Sequence, residues 1–252
     1  MSVQKYTFSI LIIALSIGSV STAVAKKTYY SQSVKSMDQK LIASPVRKDK
    51  KKVYEGCGPI AGAMLLGYWQ TEKNKKGLLT KNYDGTKHPS KAIRSLYKEM
   101  KSKKAPGKKQ KMSYTMPDSL FKALKNRAKT KKGIKADRMK KIRRWSKRKE
   151  ALKSQLKKGN PVILLKNKEH KDGCLGSSSK GWNFIKNLSN SHYFLAVGFK
   201  GNKVAIMPGW SEKDHSVSSG FTVHKNGSHS HALCTFDELK KANVSLFWIE
   251  KD

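Results

Sequence analysis

The chain predicts an α+β fold, with helical patterns concentrated in its first half and strand patterns in its second. Three observations carry this. Gly56–Trp69 has apolar residues on nearly every face of a helix, so it belongs inside a fold, packed on more than one side. Val162–Leu165 is a short continuous apolar run, the pattern of a central strand. Asn226-Gly227 separates two strand-like stretches, and that pair favours a two-residue hairpin turn, so the sheet is expected to be antiparallel.

The first segment lies outside this core. Residues 6–20 are apolar, follow Lys5 and lead to Ala23-Val24-Ala25. That is the layout of a secretory signal cut after Ala25, and the run is short for a membrane span of about 20 residues. Residues 1–25 are therefore expected to be removed on export, to the periplasm or the exterior. Residues 26–52 are polar and Lys-rich and read as a basic arm with one short helix. The remainder, 53–252, reads as one domain with a Lys/Arg-rich helical insertion at about 91–158.

Within that domain the elements follow in order. Pro59 suits the first turn of the Gly56–Trp69 helix, where its missing N–H costs nothing. Residues 71–90 carry turn chemistry, including Asp84-Gly85 and His88-Pro89. Ser90 is placed to cap a helix through Met100, and 101–111 reads as a surface loop. Thr115-Met116-Pro117-Asp118 is a helix start, with Leu120, Phe121, Leu124 and Ala128 as its apolar stripe. A second helix is expected from about Ala136 to Lys157, burying Met139, Ile142, Trp145, Leu152 and Leu156. Gly159-Asn160-Pro161 ends it. After Val162–Leu165 comes a long polar loop, 166–190, of the kind that often binds. Ser191–Phe199 is a strand with His192 at its mouth, joined by Gly201-Asn202 to a strand at Lys203–Met207. The tail gives the Asn226-Gly227 hairpin, a capping box at Thr235 and Glu238, and a last strand at Val244–Ile249.

Net charge is +37, from 54 basic and 17 acidic residues. Between Lys91 and Lys158 there are 27 Lys or Arg against four acids, a density beyond what solubility needs. A field of this size attracts polyanions: anionic lipid, acidic polymer or nucleic acid. Export favours an envelope or surface over nucleic acid, which a basic chain would hold non-specifically. No motif of a metal-dependent nuclease is present. His224, His229 and His231 share one side of the tail hairpin pattern, but no carboxylate cluster completes a metal site, so no metal or cofactor is expected.

Three cysteines in an exported chain leave one over after any pair. Cys174 and Cys234 are the candidates for a disulfide, leaving Cys57 reduced. Cys57 opens a buried helix, whose unpaired N–H groups and positive dipole end favour a thiolate. His192 opens an apolar strand. Cysteine catalysis needs such a pair adjacent in space, the imidazole taking the thiol proton and returning one to the leaving amine.

Those residues also carry a resemblance. Gly56-Cys57-Gly58-Pro59 with the helix ending Leu66-Gly67-Tyr68-Trp69 resembles the active-site helix of papain-like cysteine peptidases, in the branch of bacteriocin-processing peptidases that cut double-glycine leaders. Leu156–Ile163 and Ser191–Phe199 resemble that branch's helix–turn–strand and histidine strand. The resemblance covers roughly 54–210. It implies a papain-like fold, the nucleophile's helix packed on an antiparallel sheet, with Cys57 as nucleophile and His192 as base. It also implies an oxyanion hole that includes the Cys57 backbone. Two positions depart from the family pattern. Lys51 stands where the oxyanion-hole glutamine is usual. Met207 precedes Pro208 where the family has Asp or Asn. Asp214 is then the nearest downstream acid for the imidazole, and Asn202 the alternative in the turn.

Three function classes follow. The first is an exported cysteine peptidase acting on peptides or proteins, or a related cell-wall peptide amidase, with a basic surface for anionic substrates. The second is a non-catalytic papain-like domain that binds acidic polymers or membranes. The third is a secreted nucleic-acid binder or nuclease.

Overall fold

The computed structural model describes residues 28–30, 41–43, 52–54, 56–85, 89–104, 113–167, 192–207, 223–226 and 229–252. Residues 1–25, Lys51, Cys174, most of the 166–190 loop and Asp214 lie outside them. Among the described residues three short strands come first: β1 (Thr28–Tyr30), β2 (Leu41–Ala43) and β3 (Lys52–Tyr54). The arm therefore carries strands where one short helix was expected. Each borrows its hydrogen bonds from a partner: β2 pairs with β3, and β1 pairs with a strand of the main sheet.

Helix α1 (Cys57–Thr71) is buried from Gly58 to Gln70, all faces included. Helices α2 (Ser90–Glu99) and α3 (Pro117–Lys129) pack beside it. Pro89 caps α2, and Ser90 is its first helical residue. Two-residue strands β4 (Lys103–Lys104) and β5 (Ser113–Tyr114) lie between them and pair with one another. The expected second helix splits. Ile134–Met139 is strand β6, and only Trp145–Lys157 is helix α4. Antiparallel pairing of β6 with the last strand, at Ile134↔Lys251 through Met139↔Leu246, wins over the helical spacing of Met139 and Ile142. Ile142 is consequently not buried; it is 83% exposed in the β6–α4 turn.

The rest of the sheet is β7 (Val162–Leu165), β8 (Tyr193–Lys200), β9 (Lys203–Met207), β10 (Val223–Asn226), β11 (His229–Thr235) and β12 (Ser245–Lys251). Helix α5 (Phe236–Lys241) precedes β12 behind the expected Thr235–Glu238 capping box. The strand order is β10-β11-β9-β8-β7-β12-β6, with every pairing antiparallel. β7 pairs with Tyr193–Ala196 of β8, and β1 pairs with Gly198–Lys200 beyond it.

Side chains alternate across this sheet and give two cores. Ile163, Leu165, Tyr193, Leu195, Phe247 and Ile249 face α1, α2 and α3. Val162, Leu164, Phe194, Ala196, Leu246 and Trp248 face α4 and α5. A register shift between Ala196 and Gly198 resets the alternation, so Phe199 returns to the α4 face. The stretch expected as a helical insertion, 91–158, is thus built into the domain. It supplies β6, the α2 and α3 cover of α1, and α4 on the opposite face.

Candidate active site

The site begins with the backbone of Gly56. Its φ of 86° is left-handed, which suits glycine. A side chain there would also meet Ser113 Oγ, with Cβ at 2.4 Å. The chain turns at this residue into α1, and the first intrahelical bond runs from the Ile60 N–H to Gly56 O (3.2 Å). Cys57 and Gly58 therefore keep N–H groups with no partner inside the helix, while Pro59 has none to offer. Both face the Cys57 sulfur.

A third N–H reaches that sulfur from the sheet. The Tyr193 amide, one residue after His192, donates to it. The cysteine helix and the histidine strand thus meet at this point. His192 is half-buried, and its ring stands edge-on to Phe194 with centroids 4.4 Å apart. Its carbonyl accepts from the Lys166 N–H at 3.0 Å, continuing the β7–β8 ladder one pair past its end. Lys166 itself is buried.

Several positioning roles were not legible in the sequence. The Tyr193 hydroxyl donates to Thr115 O (3.0 Å). The Thr115 hydroxyl bonds that of Ser102 (2.6 Å). The Thr115 side chain fills the space beside Gly58, where an added Cβ would lie 2.5 Å from Oγ1 and 2.6 Å from the threonine Cβ. Tyr193 therefore grips the helix start twice, through its amide at Cys57 and through its hydroxyl at the segment wedged against Gly58. Thr115 looked like helix-start chemistry, but Met116 occupies the cap position of α3 and makes no side-chain cap bond.

Two effects oppose one another at the sulfur. Burial pushes the Cys57 thiol up, while the N–H groups of Tyr193, Gly58 and Cys57 act in the direction of the thiolate, as the helix start was expected to. An imidazolium beside the sulfur would add to them. Burial also raises the Tyr193 phenol well above its ordinary value, with the nearby Cys57 and Asp118 adding to the effect. Tyr193 therefore stays a protonated donor.

The remaining candidates separate. Asn202 sits in the exposed turn after β8, at the opposite end of an eight-residue strand from His192. At strand rise that is about 25–30 Å away, so Asn202 is not the imidazole's partner; its carbonyl accepts from the Phe236 N–H instead (3.1 Å). Asp214 and Lys51 lie outside the described residues. Cys57 is a free thiol and Cys234 is disulfide-bonded, while Cys174 lies outside the described residues. Register sets His224 opposite His231 in the β10–β11 hairpin. Met207 closes β9, buried in the α1 core.

A family model described as the Peptidase_C39-like family matches residues 28–226. The chain belongs to that family. It is accordingly a cysteine peptidase, and the matched span contains both Cys57 and His192. Among solved structures, the chain resembles interpain A, a cysteine protease of Prevotella intermedia. The identity is 14%, with 90% of this chain and 95% of that one covered and a TM-score of 0.50. It also resembles a candidate C39-like peptidase from Bacillus anthracis, at 14% identity, 85% and 100% coverage and a TM-score of 0.44. The likeness to interpain A supports the papain-like α+β fold. No curated protein matches the sequence. No helix among the described residues is long and apolar enough to cross a membrane.

Proposed function

We propose that the chain is an exported peptidase in which Cys57 is the nucleophile and His192 the general base, and that its cationic surface brings it to anionic substrates or surfaces. One observation carries the catalytic part: the free Cys57 thiol, at the start of a fully buried helix, accepts the N–H of the residue next to His192. His192 takes the thiol proton, and the resulting imidazolium is the charge that offsets the dehydration of the sulfur. The thiolate then attacks the peptide carbonyl, forming a C–S bond. The developing oxyanion is held by backbone N–H at the start of α1. The C–N bond breaks as His192 returns the proton to the leaving amine, and water, deprotonated by His192, hydrolyses the thioester.

The apolar segment before Ala25 supports export, and the charge of +37 supports an anionic target. Hydrolysis of a mixed peptide library by the mature chain tests the chemistry. Wild type is expected to cut, and Cys57→Ala and His192→Ala to fold without cutting. Turnover that survives either change contradicts the assignment. Export is checked separately: the protein recovered outside the cytoplasm should begin at Lys26.

A further inference from the structure

We propose that the turn joining β6 to α4, Lys140-Lys141-Ile142-Arg143-Arg144, is a contact site for anionic phospholipid. The proposal rests on the anionic-surface part of the function above and is independent of the peptidase part. Ile142 is 83% exposed, and Lys140, Lys141, Arg143 and Arg144 on either side are exposed with it. A lone exposed aliphatic residue is ordinary on a protein surface. One centred between two pairs of cations joins the two features that interfacial binding uses: an apolar tip and a basic collar.

The backbone holds the tip in place. Lys141 N–H donates to Ser245 Oγ (3.1 Å), and Arg143 N–H to Lys140 O (3.1 Å). Arg148 N–H donates to Arg144 O (3.2 Å), while the buried Arg148 side chain is tied to Val244 O. Ile142 is therefore presented on a fixed turn.

The cations are not there to steady α4. They lie at its amino end, where the helix dipole disfavours positive charge, and its first turn has no acid. Lys140 is 3.8 Å from Asp118, a carboxylate that also pairs with Arg138. Lys141, Arg143 and Arg144 form no ion pair among the described residues. A nucleic acid or acidic polymer would satisfy these charges but offers no apolar layer for Ile142. An anionic bilayer supplies both phosphate and hydrocarbon.

Co-sedimentation of the full mature chain with vesicles of phosphatidylglycerol and phosphatidylcholine, against vesicles of phosphatidylcholine alone, tests this. Partition is expected only with phosphatidylglycerol present. Ile142→Ser, which removes the apolar tip without changing charge, should lower it about tenfold and Arg143→Gln with Arg144→Gln roughly thirtyfold, both with unchanged turnover of a soluble peptide. Ile142→Ser should also leave retention on a sulfated-polymer column unchanged. Partition of Ile142→Ser equal to wild type overturns the assignment, as does equal binding to neutral vesicles. Retention on the polymer or on duplex DNA without any vesicle binding overturns it too, while leaving the broader anionic reading standing. Loss of salt-sensitive retention on every polyanion overturns both.

Discussion

Helices α1 and α4 pack on opposite faces of one sheet, yet they are held in different ways. α1 is buried on every side and has glycines where neighbours approach closest: Gly58 against Thr115, and Gly62 with an added Cβ at 2.6 Å from Met100 Cε. α4 buries Leu152 and Leu156, while Lys149 and Lys153 lie over the rings of Phe236 and Phe199. Close packing fixes α1 from all directions, which suits the nucleophile proposed at its first residue. α4 is fixed along one stripe, so its outer face and leading turn are free to carry charge. The proposed nucleophile and the basic turn are thus carried on opposite faces of the sheet.

The largest effect that sharpens this contrast is on turnover. Cys57→Ala or His192→Ala should lower kcat/KM by about 10⁴-fold or more, with circular dichroism unchanged. Next is Gly58→Ala. Helix propensity favours alanine by about 1 kcal/mol, but overlap with the branched Thr115 side chain opposes it, for a net loss of about 1–3 kcal/mol in chemical denaturation. Thr115→Ala in the same chain should recover part of that loss. No recovery would mean that Thr115 is not the wedge.

A smaller effect is expected at Tyr193. Tyr193→Phe removes the bond to Thr115 O and should lower kcat about three- to tenfold with KM nearly unchanged, since it loosens the placement of Cys57 and His192. An equal fall in stability with kcat intact would make Tyr193 structural only. The smallest belongs to α4. Lys153→Ala should cost about 0.5–1 kcal/mol, from the loss of stem packing and cation–π contact, with turnover unaffected.

Much of this was legible in the sequence where local chemistry decides. The all-apolar pattern of Gly56–Trp69 announced a buried helix, Val162–Leu165 a central strand, and Thr235 with Glu238 a capping box, and each is present. Local pattern failed where a distant partner decided the outcome. Ala136–Met139 shows helical spacing, but pairing with β12 makes it strand, and Ile142 is left exposed. Thr115 offers cap chemistry, but a tertiary contact with Gly58 and a bond to Ser102 claim its side chain. In the candidate site, Cys57 and His192 stood out because their residue types are rare and reactive. Tyr193 could not, because its role comes from a backbone N–H and a hydroxyl aimed across the fold. The helix-start N–H groups favour the thiolate as expected, but the burial that opposes them is a property no spacing rule reports.

That dehydration makes the central claim directly measurable. Cys57 is raised by burial, so its proton is held to higher pH than in an ordinary thiol, and the isolated sulfur reacts only as pH climbs through that raised value. An imidazolium at His192 has the opposite sign and moves the reactive form towards neutral pH. The test is the rate of Cys57 alkylation by iodoacetamide as a function of pH, in wild type and in His192→Ala. The wild-type chain should react near neutrality, and the variant only above the ordinary thiol range of about 8.5. Superimposable profiles for the two proteins would show that His192 does not charge-pair with Cys57 and would contradict the account.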